Sequence, residues 1–124
     1  AGAEDLMMMR LVELYFIRAE ATAQLGDPAS AMQDVNLIRT RAALPPASAS
    51  SLAEALGIIL HERQVELFME GAHRWFDLKR MDSVNSVMSR VKPQYWPADG
   101  HAALYPISVT EMAANINLVQ NPGY

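Results

Sequence analysis

The sequence predicts an all-α fold: a helical hairpin, further helices, and an irregular C-terminal strap. Apolar residues recur at helical spacing from about residue 5 to residue 91. Residues that cap or stop helices punctuate those runs. Beyond Lys92 the pattern dissolves among Pro93, Pro97, Asp99-Gly100, Pro106 and Pro122-Gly123. One domain over 1–124 is expected, divided into a hairpin at 1–44, helices at 51–91 and a tail at 92–124.

The first helix is expected from about Asp5 to Leu25, with Leu11, Leu14, Tyr15, Arg18, Ala21 and Leu25 on one face. Met7, Met8, Phe16 and Ile17 add apolar surface elsewhere, so neighbours should sandwich the helix. Gly26 suits its C′ position, Asp27 the next N-cap and Pro28 the next first turn. The second helix should run to about Ala43, with Ala31, Val35, Ile38 and Ala42 on a narrow seam and Met32 filling a gap. Pro45-Pro46 stops it, and 47–50 reads as a flexible link.

A capping box, Ser51-Leu52-Ala53-Glu54, opens the third helix. Its apolar face is expected at Leu52, Leu56, Ile59, Leu60 and Leu67, with Met69 as another gap-filler. Gly71 weakens or breaks it, and His73 to Met81 continues as one or two turns. Asp82 is the expected cap of a short helix carrying Val84, Val87, Met88 and Val91. Leu104 to Ile107 should be extended, and Ser108-Val109-Thr110-Glu111 should open a last short helix to about Ala114. The amide-rich ending, Asn115 to Tyr124, suits a segment strapped across irregular backbone, with Tyr124 as anchor and contact with a partner as the functional alternative.

Composition bounds the function. Net charge is −4 and the ten basic residues are scattered, which argues against a nucleic-acid-binding face. There is no cysteine, so neither a disulfide framework nor a thiolate metal site is available, and a lipid anchor on cysteine would lie outside this chain. No signal peptide or membrane span is legible. The short polar start leading into a helix suggests a piece of a longer protein.

Glu62, Glu66 and Glu70 lie four apart on one helix face. Paired carboxylates can perform acid–base work. Arg63, Arg74, Asp77, Lys79 and Arg80 lie close in sequence, so the expected role is an ion-pair lattice tying the third helix to the first through Arg18 and Glu20, with Glu70–Arg74 as a further pair if the helix continues through Gly71. His61-Glu62 is no zinc-protease motif, because Val65 stands where its second histidine belongs. No metal or cofactor is expected. Trp75 and Phe76 read as a buried anchor. Tyr95-Trp96-Pro97, in a proline-rich loop, is the better candidate for a sugar platform, since flat aromatic faces stack on sugar C–H faces; packing onto the body is the competing role.

The order Tyr15, Ala19, Leu25-Gly26-Asp27, Ala31 resembles a tetratricopeptide unit, whose face needs neighbours to bury it. Three longer stretches resemble the SusD/RagB family. They are RLVELYFIRAEATAQLGD (10–27) with AMQDVNLIRTRAALP (31–45), ERQVELFMEGAHRWFDLKR (62–80), and LYPISVTEMAANINLVQNPGY (104–124). The structural motif this resemblance singles out comprises Glu62, Arg63, Glu66, Glu70, Gly71, Arg74, Trp75, Phe76, Asp77 and Arg80.

Two departures stand out. Ala72 and His73 both separate Gly71 from Arg74, where the family pattern has one residue. Ile116 follows Asn115 where the pattern has proline. The resemblance implies the C-terminal part of a longer, non-enzymatic outer-membrane lipoprotein at the cell surface. Such a protein binds oligosaccharides or other nutrients, mostly through upstream loops, and delivers them to a SusC-type TonB-dependent porin. A stand-alone tetratricopeptide-like interaction module is the alternative. A small hydrolase using Glu62 and Glu66 is a third, weakened by the absence of a nucleophile motif such as G-x-S-x-G.

Overall fold

A computed structural model describes residues 9–124. Two compact units, Ala1–Arg74 and Trp75–Tyr124, divide the chain, and each is described by itself. Among the described residues there are six α-helices, one 3-10 turn and no strand, as the sequence predicts.

In the first unit α1 (Leu11–Gln24) and α2 (Pro28–Arg41) form the tetratricopeptide-like hairpin, and α3 (Leu52–Glu66) packs on both. The predicted start of α1 at residues 5–8, with Met7 and Met8, lies outside the described residues. Within them, Arg10 is extended and occupies the N-cap position. The core face of α1 corrects the sequence reading. Val12, Phe16, Ala19 and Ala23 are buried, whereas Leu11, Leu14 and Leu25 are exposed. Both faces of α1 carry apolar residues at helical spacing, so periodicity alone does not choose between them. The chosen face offers alanines at 19 and 23, which let α2 approach closely.

Ala31, Met32, Val35 and Ile38 answer from α2, and Ala49, Ala55, Ile59 and Leu67 complete the core. Ala42, placed on the seam by the sequence, is exposed, as is Leu52 on α3; Leu56 and Leu60 are half-buried. Met32 fills the core as expected, but Met69 is 87% exposed.

The α1–α2 junction forms as the sequence predicts. Asp27 N–H donates to Thr22 O at 3.2 Å and Gly26 N–H to Ala23 O at 3.1 Å. This is a Schellman ending with Gly26 left-handed. Asp27 then accepts from Ser30 N–H at 2.9 Å and Pro28 takes the first turn. The same motif closes α2, with Leu44 N–H on Arg39 O at 2.9 Å, but alanine sits at its left-handed position: Ala43 has φ 56°.

The segment after α2 is held rather than free. Asn36 donates to Ala47 O at 2.9 Å and accepts from Ala47 N–H at 2.8 Å, and Arg39 Nε donates to Pro45 O at 2.8 Å. Ala49 is buried. The expected flexible link is therefore pinned on both sides. Ser51 caps α3 by accepting from Glu54 N–H, while the Glu54 carboxylate accepts from the backbone N–H and hydroxyl of Ser50.

The second unit contains most of α4 (His73–Arg80), then α5 (Val84–Val91), the 3-10 turn (His101–Ala103) and α6 (Val109–Ala114). Asp82 does not cap α5. It is the left-handed residue of another Schellman ending, at φ 48°, with Ser83 N–H on Leu78 O at 2.9 Å. Ser83 takes the N-cap position, and its hydroxyl donates back to Leu78 O. Leu78 and Val84 are buried, Val87 and Met88 half-buried, and Val91 exposed.

The strap forms through its amides. Gln120 donates to Ile107 O at 2.9 Å and accepts from Ile107 N–H at 2.8 Å. Asn121 donates to Tyr105 O, and the Tyr124 hydroxyl donates to Leu104 O at 2.9 Å. Leu104 is extended as predicted, and Ser108 caps α6 by accepting from Glu111 N–H.

Candidate functional site

Glu62, Glu66 and Glu70 form a lattice with arginines that are remote from them in sequence. Glu62 bonds Arg39 of α2. Glu66 Oε1 is shared between Arg10 and Arg41, with Arg41 Nη2 at 2.6 Å. Arg10 also reaches Glu70 Oε1 at 2.7 Å and the Glu66 carbonyl at 3.0 Å. The lattice thus ties α3 to α2 and to the residue that precedes α1. Arg18 pairs with Asp34 instead, through two bonds of 2.7 and 2.6 Å.

Helical order stops before Glu70. Met69, Gly71 and Ala72 all have positive φ, so the Glu70–Arg74 helical pair expected from spacing does not form. Arg74 is half-buried at the start of α4. Arg10, Arg39 and Arg41 were missed in sequence. The two basic residues in the last turn of α2 were the available clue, since cations favour helix C-termini.

The surroundings of Glu66 favour its ionised form. Burial is the largest single influence on Glu66 and pushes its carboxyl up. The hydrogen bonds and charges of Arg41 and Arg10 together outweigh it, so its pKa lies below the ordinary carboxylate range. A general acid needs the opposite shift. Glu62 and Arg63 are both buried. A cleft of about 400 Å³ beside the lattice is lined by Met9, Arg10, Glu13, Leu67, Glu70, Gly71 and His73, but its Arg10 and Glu70 already bond each other.

In the second unit Asp77 is buried and accepts from Arg80 Nε at 2.9 Å. Trp75 is half-buried, with Tyr105 at 6.4 Å between ring centroids and Lys79 Nζ 5.9 Å from its own. Phe76 corrects the expectation of a buried anchor: it is 58% exposed. On α4 it lies one residue before buried Asp77 and Leu78 and so projects from a different side.

Trp96 and Tyr95 part company. Tyr95 is 77% exposed. Trp96 is half-buried and lines an open cleft of about 470 Å³ together with Asn85, Ser86, Ser89, Asp99 and Pro93 and Pro97. Its indole N–H donates to Asn85 Oδ1 at 3.1 Å. Asp99 accepts from the backbone N–H of His101, whose Nδ1 lies 2.7 Å from Asp99 Oδ1; these bonds hold the Asp99 carboxyl below its usual range. Asn85, Ser86, Ser89 and Asp99 were not singled out from sequence, because nothing in their spacing reveals that α5 faces the 93–100 turn. Among the described residues no cluster of histidine and acid groups could hold a metal ion, and no helix is long and apolar enough to cross a membrane.

Comparison with known proteins places these features in a wider setting. SusD-like protein P38 of Formosa agariphila is 30% identical over 97% of this chain, and SusD-like protein P25 of the same organism is 28% identical over 98%. The chain spans 25% of the length of either relative. The solved structure of BT4246 in its selenomethionine form superposes over 99% of this chain and 25% of its own, with TM-score 0.74 and 25% identity. A second BT4246 structure gives TM-score 0.70 over 95% of this chain and 24% of its own. The sequence profile described as the SusD family matches residues 1–124, the same span over which the hairpin, the glutamate run and the strap follow one another. The chain belongs to the SusD family.

Proposed function

We propose that this chain is the C-terminal helical scaffold of a surface glycan-binding lipoprotein that delivers oligosaccharides to a SusC-type TonB-dependent porin. The family match over the full 124 residues carries the reading. The chemistry of the site supports it. Glu62, Glu66 and Glu70 are engaged by guanidinium groups, and Glu66 is held ionised, which suits a brace and not a catalyst. The lipid anchor belongs to a part of the protein outside this chain, and the whole protein is non-enzymatic, with no cofactor. Residues 1–124 act as one domain in that larger body.

A stand-alone tetratricopeptide-like interaction module is the second reading, favoured by the exposed Leu11, Leu14 and Ile17 of α1. The two separate in one experiment on the full-length protein: calorimetric titration with oligosaccharides, alongside co-purification from solubilised outer membranes. Glycan binding and recovery of a TonB-dependent porin are expected. A protein that binds no glycan and recovers no porin contradicts the first reading.

A further inference from the structure

We propose that the Trp96 cleft is a carbohydrate subsite within this helical part, taking a pyranose ring of a neutral oligosaccharide against the indole. The inference rests on the glycan-binding reading above and adds a location and a ligand class to it. A sugar ring presents an apolar C–H face and a rim of hydroxyls, so its receptor needs a flat aromatic surface with hydrogen-bonding groups at the edge. Trp96 supplies the surface, and it is only half-buried, so it borders open space rather than filling a core. The cleft, about 470 Å³, falls within the range of roughly 300–1,000 Å³ typical of small-molecule sites.

The indole is fixed before any ligand arrives. Its N–H is bound to Asn85 Oδ1, and the Asn85 amide is itself wedged against Gly100. A Cβ at residue 100 would come within 2.5 Å of that amide, and φ there is +72°, so glycine suits this wall and a side chain there would displace the amide. Prearranged walls reduce the ordering cost of binding. The rim carries the Ser86 and Ser89 hydroxyls and the Asp99 carboxylate. The Ser86 and Ser89 hydroxyls donate to Ser83 O and Ser86 O, so toward a ligand they accept, as does the ionised carboxylate, which suits sugar hydroxyl donors. No lysine or arginine lines the cleft, and Asp99 would repel an acidic sugar, so the expected class is neutral.

The test is calorimetric titration of the full-length protein with maltohexaose, cellohexaose, xylohexaose and mannohexaose, plus an oligogalacturonide as the charged probe. Trp96→Ala removes the platform. Ser86→Arg fills the cleft from an exposed position on α5, so it keeps the test open if the tryptophan variant fails to fold. The expected result is binding of a neutral probe by the parent and a loss of roughly tenfold in affinity in each folded variant, with unchanged melting temperature for Ser86→Arg. Parent-like affinity in Ser86→Arg overturns the subsite and leaves the glycan-binding reading intact. Preference for the charged probe overturns the neutral class. A parent that binds none of the probes overturns the subsite together with the reading beneath it.

Discussion

At the scale of single residues, the strongest local statements concern a carboxylate and a helix end. Glu66 has a depressed pKa in the folded state, so its contribution to stability is complete above the unfolded value of about 4.3 and is lost as pH falls through the lower folded value. Acid titration of the melting temperature should therefore fall less steeply below about pH 4.3 in Glu66→Gln than in the parent. Parallel curves would show that Glu66 is not part of a folded-state ion pair. Ala43 adopts a left-handed conformation that favours glycine by about 1 kcal/mol. Ala43→Gly should raise stability by about that amount in denaturant unfolding, and a destabilised variant would mean the α2 ending differs from the one described.

Elements were legible to the extent that local chemistry fixes them. The Gly26-Asp27-Pro28 junction and both serine caps follow from backbone groups that must find partners within a few residues, so the sequence displays them directly. Which face of α1 is buried was not legible, because that depends on how closely α2 can approach and not on periodicity within α1. The glutamate lattice was legible as a lattice but not in its partners. Positive φ at Met69, Gly71 and Ala72 ends the helical register, and long-range arginines at 10, 39 and 41 take the carboxylates instead. The amides of the strap pointed to backbone bonding, though not to which backbone. Gln120 satisfies both groups of Ile107, so Gln120→Ala should cost about 1–3 kcal/mol in thermal or chemical unfolding. A neutral effect would mean the strap is held by its aromatic end, where Tyr124 bonds Leu104 and its ring lies edge-on to His101.

At the scale of the whole molecule, the chain spans a quarter of its relatives' length, and its helices carry charged groups that pair with one another. Exposed apolar residues on α1, with Phe76 and Tyr105 in the second unit, are what a part built to sit within a larger protein would present. Whether the glutamate lattice braces the protein or handles a ligand is settled most directly by one paired measurement on the full-length Glu66→Gln variant: unfolding free energy and affinity for the neutral hexaoses of the proposed glycan-binding function. A brace predicts a stability loss of about 2 kcal/mol with affinity unchanged. Loss of affinity at parental stability would contradict it and assign the lattice to the binding site.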